Sequence, residues 1–205
     1  PKDASLEGPT IVDSTAPVFS SSPVDAYAEC DGIPEVANNS ELIAIDNCGA
    51  VDTITYGGEV RVDGICPDNY TLIRSWYATD QCGNVSTAEQ TIEVYDTTAP
   101  VLTIPADYTV ECSDDHPMDD ASATDNCGEV TIDIVETFIP GDCPGNYSIT
   151  RLFFATDDCS NSSSETQTIT IVDTTAPVLT IPADYTAECS DAHPMDDASA
   201  TDNCG

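Results

Sequence analysis

The hydrophobic pattern of this chain is short and alternating. Runs rich in Thr, Val, Ile and Tyr last four to ten residues and are broken by Pro, Gly or Asp-Asn pairs. No stretch keeps a helical 3.6-residue period, so the pattern predicts strands. Within 96–172 the expected strands are 101–104, 108–112, 121–124, 130–137, 147–156 and 165–172, with Ile169 and Ile171 alternating toward a core. Turns are expected at 125–128, 140–145 and 157–161. The fold class predicted is all-β: tandem immunoglobulin-like sandwiches, each with six or seven short strands.

The same pattern recurs along the chain. Residues 96–128 return at 173–205 with two changes, Val110 to Ala187 and Asp115 to Ala192, an offset of 173 − 96 = 77 residues. A more diverged copy starts at Asp13, where DSTAPVF matches DTTAPVL at 96–102. A period of this size marks an array of small domains. The expected organisation is a last strand of a preceding repeat at 1–12, full repeats at 13–95 and 96–172, and the first part of another at 173–205. TIVD occurs at both 10–13 and 170–173, and a longer array is the simplest source of such a window.

Charge narrows the function classes. Thirty-eight acidic residues face four Lys and Arg, a net charge of −34. Such a surface has nothing to neutralise phosphates, which excludes nucleic acid and disfavours anionic membranes. Hydrophobic residues at 40% argue against disorder. Repeat 96–172 alone carries fifteen acids and one Arg, 1 − 15 = −14, a self-repulsion that invites divalent counter-ions.

Ten cysteines fall as four, four and two at matching repeat positions, with no CxxC spacing. That favours disulfides over zinc and an oxidising, extracellular compartment. No run of 18 apolar residues and no signal-peptide pattern occurs in the sequence.

ATDQCGN at 78–84, ATDDCSN at 155–161, DNCG at 46–49 and 125–128, and the DTTAP starts resemble hyalin-repeat (HYR-like) domains. The resemblance covers 13–205. It is closest to the four-cysteine variety of long secreted bacterial surface proteins, including gliding adhesins of Bacteroidota. It implies an extended cell-surface adhesin or filament, and calcium at domain junctions. Ser160 stands where the first repeat has Gly83, so that turn is expected to differ.

In an immunoglobulin-like topology the third and fourth cysteines of a repeat flank one long strand. Ten extended residues span about 33 Å, against Cα atoms roughly 4.4–6.8 Å apart in a disulfide. Cys143–Cys159 is thereby disfavoured. The expected pairs are Cys30–Cys66, Cys48–Cys82, Cys112–Cys143 and Cys127–Cys159, two per repeat.

The strongest candidate chemistry is a calcium centre. Each repeat offers a linker Asp (Asp13, Asp96, Asp173), a turn Asp-Asn (Asp46/Asn47, Asp125/Asn126, Asp202/Asn203) and a later turn Asp (Asp80, Asp157). Three carboxylates from separate segments suit a hard cation that takes 6–8 oxygens, while plain turn capping explains the same residues without a metal. Asp114, Asp115, Asp119 and Asp120 form a second acidic patch, read as solvated loop. Arg74 and Arg151 are read as structural pairs beside Trp76 and Phe153. His116 and His193 lack a companion nucleophile, and the acids are copied in every repeat, so no enzyme is expected. DTT, DST and DTI triplets point to O-glycans at Thr97, Thr174 or Thr53.

The function expected is a stalk or filament segment of a secreted surface protein, stiffened by disulfides and junctional Ca2+, with neighbouring repeats as partners. Two alternatives are a glycan- or protein-binding adhesive module and a laterally self-assembling filament subunit.

Overall fold

The computed structural model describes residues 12–191 and 197–205. The expected strand at 1–12 falls almost wholly outside the described residues, as does His193. The chain divides into two compact units. Unit 1 gathers Pro1–Thr98 with Asp125–Glu129 and Asp157–Asn161; unit 2 gathers Ala99–Thr124, Val130–Thr156 and Ser162–Gly205.

In unit 1 the strands are β1 (Val18–Ser21), β2 (Ala26–Glu29), β3 (Ile43–Ile45), β4 (Val51–Asp63), β5 (Tyr70–Asp80) and β6 (Val85–Tyr95). They form a β1–β3 ribbon and a four-stranded sheet in the order β2-β6-β5-β4. Strand β2 runs parallel to β6, while β4–β5 and β5–β6 are antiparallel. In unit 2, β7 (Val101–Thr103), β8 (Tyr108–Glu111), β9 (Ser122–Thr124), β10 (Val130–Pro140), β11 (Tyr147–Asp157) and β12 (Ser162–Val172) repeat the plan. Their sheets are β7-β9 and β10-β11-β12-β8, with a further ribbon of β13 (Val178–Thr180) and β14 (Ser199–Thr201). The all-β sandwich expectation holds. Strand β12 starts three residues earlier than the sequence pattern suggests, because its Ser-rich opening pairs with β11 as far as Thr156↔Ser162.

The period of two decides what is inside. On β5 the buried row is Leu72, Arg74, Trp76, Ala78 and Asp80; on β6 it is Gln90, Ile92, Val94 and then Asp96, one residue past the strand. Unit 2 buries Arg151, Phe153 and Ala155 on β11, with Gln167, Ile169 and Ile171 on β12. Each large apolar side chain contributes about 1.5–3 kcal/mol by leaving water.

The two arginines are structural. Arg74 Nε donates to Glu59 at 2.7 Å and its Nη1 to the Pro34 carbonyl at 2.8 Å. Arg151 Nε donates to Glu136 at 3.0 Å and Nη1 to the Asp119 carbonyl at 2.8 Å, with the guanidinium 4.9 Å from the Phe153 ring centre. Buried guanidinium groups with these partners serve the core, as the sequence suggested.

The cystine pairing departs from expectation. The bonds are Cys30–Cys127, Cys66–Cys159 and Cys112–Cys204, at Cα separations of 6.0, 5.3 and 5.8 Å. None of Cys30–Cys66, Cys48–Cys82, Cys112–Cys143 or Cys127–Cys159 forms, and Cys48, Cys82, Cys143 and Cys189 are free and exposed. The expected pairs stay within two classes of cysteine: Cys48, Cys82, Cys127 and Cys159 in the Asp turns, and Cys30, Cys66, Cys112 and Cys143 elsewhere in each repeat. In unit 1, Cys127 and Cys159 of the second repeat's turns instead meet Cys30 and Cys66 of the first repeat. The bonds therefore join one class to the other, across a repeat boundary.

Candidate metal centres

The turns that carry the acids are built by the acids themselves. Asp125 Oδ1 accepts from the Cys127 amide at 2.8 Å, and Asp157 Oδ1 from the amides of Cys159 at 2.8 Å and Asn161 at 2.9 Å. These are Asx-type turns, in which a short carboxylate mimics a backbone acceptor. Asp46 and Asp80 do the same for Cys48 at 2.9 Å and Cys82 at 2.8 Å. Capping uses one oxygen per carboxylate and leaves the other to be accounted for.

In unit 1, Asp96, Asp125 and Asp157 each place a carboxylate oxygen within 4.8 Å of the others. Asp96 is 4% exposed and Asp157 6%. The Asp96 amide donates to Asn69 Oδ1 at 2.8 Å, and Asp96 Oδ1 accepts from the Thr98 amide at 3.2 Å. The Asn161 side-chain amide donates to the Asp96 carbonyl at 3.2 Å and to Asp157 Oδ2 at 2.9 Å. Asp96 Oδ2 and Asp125 Oδ2 are buried with no hydrogen-bond partner among the described residues. Two charged oxygens without a donor are costly in a protein interior. Burial pushes the Asp96 carboxyl above its ordinary pKa, against the Thr98 amide that lowers it, and the charges of Asp157, Asp125 and Glu29 add to the rise.

Also in unit 1, Asp13, Asp46 and Asp80 form the matching trio. Asp80 is 4% exposed, and the Asn84 side chain at 2.8 Å, outweighing desolvation, holds its carboxyl below the usual range. Here one oxygen, Asp46 Oδ1, is buried without a partner. The Asp13 carboxylate beside Cys48 raises that thiol's pKa, with desolvation and Asp46 adding to it.

Unit 2 holds a third grouping: Glu111, Asp173 and the cystine sulfurs of Cys112 and Cys204. Glu111 accepts from the Thr174 amide at 2.9 Å, the Thr174 hydroxyl at 2.9 Å and the Thr175 hydroxyl at 2.9 Å. The Thr174 amide first, then these hydroxyls, bring its pKa down to about 2. Asp202 caps Cys204 at 2.9 Å. Asp173 caps Thr175 at 3.2 Å.

The structure thus brings together the carboxylates proposed at the first two linkers and none of Asp114, Asp115, Asp119 or Asp120 joins a metal-type group among the described residues. The asparagines behave differently. Asn126 turns its amide nitrogen to Cys127 Sγ at 3.1 Å, and Asn203 to Ser113 at 3.1 Å. Asn47 lies in the turn of Asp46 and Cys48. Thr97 and Thr174 are exposed, but each donates its hydroxyl to a glutamate, Glu29 and Glu111 respectively; Thr53 lies exposed on β4. Sequence reading missed these glutamates. The signal was present: Glu29, Glu111 and Glu188 each stand immediately before a cysteine.

All oxygens of the Asp96 trio are hard ligands, and two of them lack donors, so the residues fit a cation such as Ca2+. No protein-family model matches the chain. The chain is 31% identical to hyalin from Strongylocentrotus purpuratus over 214 aligned residues, which take in 95% of this chain and 17% of that protein. The chain thus spans about a sixth of that relative's length. Among solved structures, it superposes on protocadherin gamma B7 extracellular cadherin domains 1–4 at 17% identity and TM-score 0.33, covering 77% of this chain and 50% of the other. For Drosophila N-cadherin the values are 14%, 0.34, 76% and 49%.

Proposed function

We propose that this chain is a run of structural, non-enzymatic repeats in an extracellular adhesion-type protein, and that its aspartate trios hold structural Ca2+. The observation that carries the reading is that Asp96 and Asp125, each with a buried oxygen that has no donor among the described residues, share with Asp157 a cluster of carboxylate oxygens within 4.8 Å of one another. The disulfides and the similarity to hyalin support the extracellular setting. The finer version is a stalk or filament segment of the kind found in long secreted bacterial surface arrays, with neighbouring repeats as its first partners.

Asp96, Asp125 and Asp157 would hold the ion at one trio, and Asp13, Asp46 and Asp80 at the other. The bound ion supplies positive charge where carboxylates otherwise repel. The chain's own part is to keep them there. The Asx turns fix Asp125 and Asp157. The alternation of β6 delivers Asp96 two residues beyond Val94. The Asn161 amide ties Asp96 to Asp157. Without a cation the linker residues 96–98 keep only their hydrogen bonds to Asn69, Asn161 and Glu29, and the segment bends more freely.

Small-angle scattering with and without calcium tests the stiffening. Chelation should shorten the maximum dimension; identical profiles reject it. A lateral filament is the second reading, favoured by edge strand β10, whose Val135, Phe138 and Ile139 are 53%, 62% and 50% exposed. Concentration-dependent light scattering would support it, and a constant monomer mass would not.

A further inference from the structure

The three disulfides follow one rule. A cysteine preceded by Glu (Cys30, Cys112) pairs with the cysteine of the next repeat's DNCG turn (Cys127, Cys204), not with that of its own repeat. A cysteine followed by Pro (Cys66) pairs with the cysteine of the next repeat's later Asp turn (Cys159). Cys48 and Cys82 occupy the DNCG and later-turn positions of the first repeat, yet both are free and exposed. Their turns are already set as in the bonded case. Asp46 and Asp80 cap the Cys48 and Cys82 amides at 2.9 and 2.8 Å, against 2.8 Å for both Cys127 and Cys159. Asp13 stands with Asp46 and Asp80 as Asp96 stands with Asp125 and Asp157.

We propose that Cys48 and Cys82 form a covalent docking face for another repeat of the same kind, making one disulfide to its Glu-Cys cysteine and one to its Cys-Pro cysteine. The complementary halves are on the page. The free cysteines of the two donor types are Cys189, after Glu188, and Cys143, before Pro144. They belong to different repeats, and Cys112, the companion of Cys143, is already bonded to Cys204. A second copy of these 205 residues therefore cannot present both donors from one repeat. The occupant is another repeat of the same polypeptide, one that offers a Glu-Cys and a Cys-Pro cysteine together. The TIVD that ends at Asp13 is the TIVD that ends at Asp173, where β12 leads out of its own repeat. By the same rule Cys143 and Cys189 are unpaired halves of the two donor kinds.

The chemistry balances by thiol–disulfide exchange. Each new bond joins two thiols and passes two electrons and two protons to a disulfide oxidant, which leaves as two thiols. One oxidant disulfide is consumed per bond. The acidic surroundings do not enter the balance; they position the turns.

The test uses the natural full-length polypeptide, purified without reductant, alkylated and digested for mass spectrometry. Cys48 is expected in a cross-linked peptide with a cysteine preceded by Glu, and Cys82 with one followed by Pro, both within one polypeptide. Neither should carry the alkylating group. A Cys48→Ser variant of the same polypeptide should expose one new alkylated cysteine, the Glu-preceded one, while the Cys82 link persists. A Cys48–Cys82 peptide overturns the proposal. So do both thiols alkylated, crossed contexts, links between separate polypeptides, or no new alkylated cysteine in the variant.

Discussion

The two aspartate trios of unit 1 are written in nearly the same residues and end in different states. Asp96, Asp125 and Asp157 lie where two cystines, Cys30–Cys127 and Cys66–Cys159, close over the turns. Asp13, Asp46 and Asp80 lie beside two free thiols. The first trio has two orphaned oxygens and a linker carboxyl buried to 4% exposure; the second has one orphan, and Asp13 is only half-buried. Turn chemistry is common to both, so it cannot be what distinguishes a cation site. The difference is cover. Both trios bury a turn carboxylate, but only the first also buries its linker carboxylate, and so it leaves more charge without donors.

Removing the cover should have the largest effect. Replacing Cys30 and Cys127 together by Ser should cost ~2–4 kcal/mol of stability, whereas Cys48→Ser in the 205-residue chain should change it by less than about 0.5 kcal/mol, as surface substitutions do. Chemical denaturation without reductant measures both; equal losses would erase the distinction. Calcium comes next. At a hundred times its dissociation constant, Ca2+ should stabilise the chain by roughly 2.7 kcal/mol per site. Asp96→Asn should abolish most of that gain while leaving the calcium-free protein as stable or more so, because it removes a buried charge. A melting series with chelator and with calcium decides it; an Asn variant that loses stability equally in both conditions would make Asp96 a purely structural cap.

The turn glycines give a smaller contrast. Gly128 sits at φ +87°, and an added Cβ would lie 2.6 Å from an Asp68 carboxylate oxygen, whereas nothing approaches within 4 Å at Gly49. Gly128→Ala should cost about 1 kcal/mol or more and Gly49→Ala much less. Thermal melts of the pair test it. Ser160 refines the same point: it adopts φ 73°, close to the 89° of Gly83, so the turn is conserved in shape despite the change of residue. The expected difference there is absent; the serine carries the strain instead.

The acid-side prediction concerns the linker glutamates. The Thr174 amide, with the Thr175 and Thr174 hydroxyls, holds the folded Glu111 carboxyl down to about 2, against an ordinary 4.5. Its lowered pKa means that the folded state favours the charged form. The contribution is therefore full above 4.5 and fades as pH falls toward 2. Asp96 has the opposite sign: its raised carboxyl makes the calcium-free folded state prefer the proton, so its ionisation weakens unit 1 as pH rises through that carboxyl's range. Comparing Glu111→Gln with the parent chain across pH 2–5 should show a stability gap that closes toward the acid end. A gap independent of pH would assign Glu111 a packing role.

Much of this was legible in the sequence. Alternation in TLIRSWYATD fixed which residues of β5 face inward, and that same alternation buries Asp80 at the strand's end. The linker aspartate was found as a repeat position; its burial follows from β6, since Asp96 continues the row of Ile92 and Val94. What was not legible was the cystine pairing. Spacing excluded one strand-spanning bond but could not choose between cysteines of one repeat and cysteines of the next, because the two classes of turn recur identically in every copy. The role of Glu29 and Glu111 was hidden for a related reason. Their hydrogen-bond partners, Thr97 and Thr174, lie more than sixty residues away, in linkers.

The measurement that bears most directly on the cation reading is anomalous diffraction from crystals grown in calcium. A peak should lie 2.3–2.6 Å from oxygens of Asp96, Asp125 and Asp157. At saturating calcium, a trio whose Asp96 and Asp125 oxygens meet only water would contradict it.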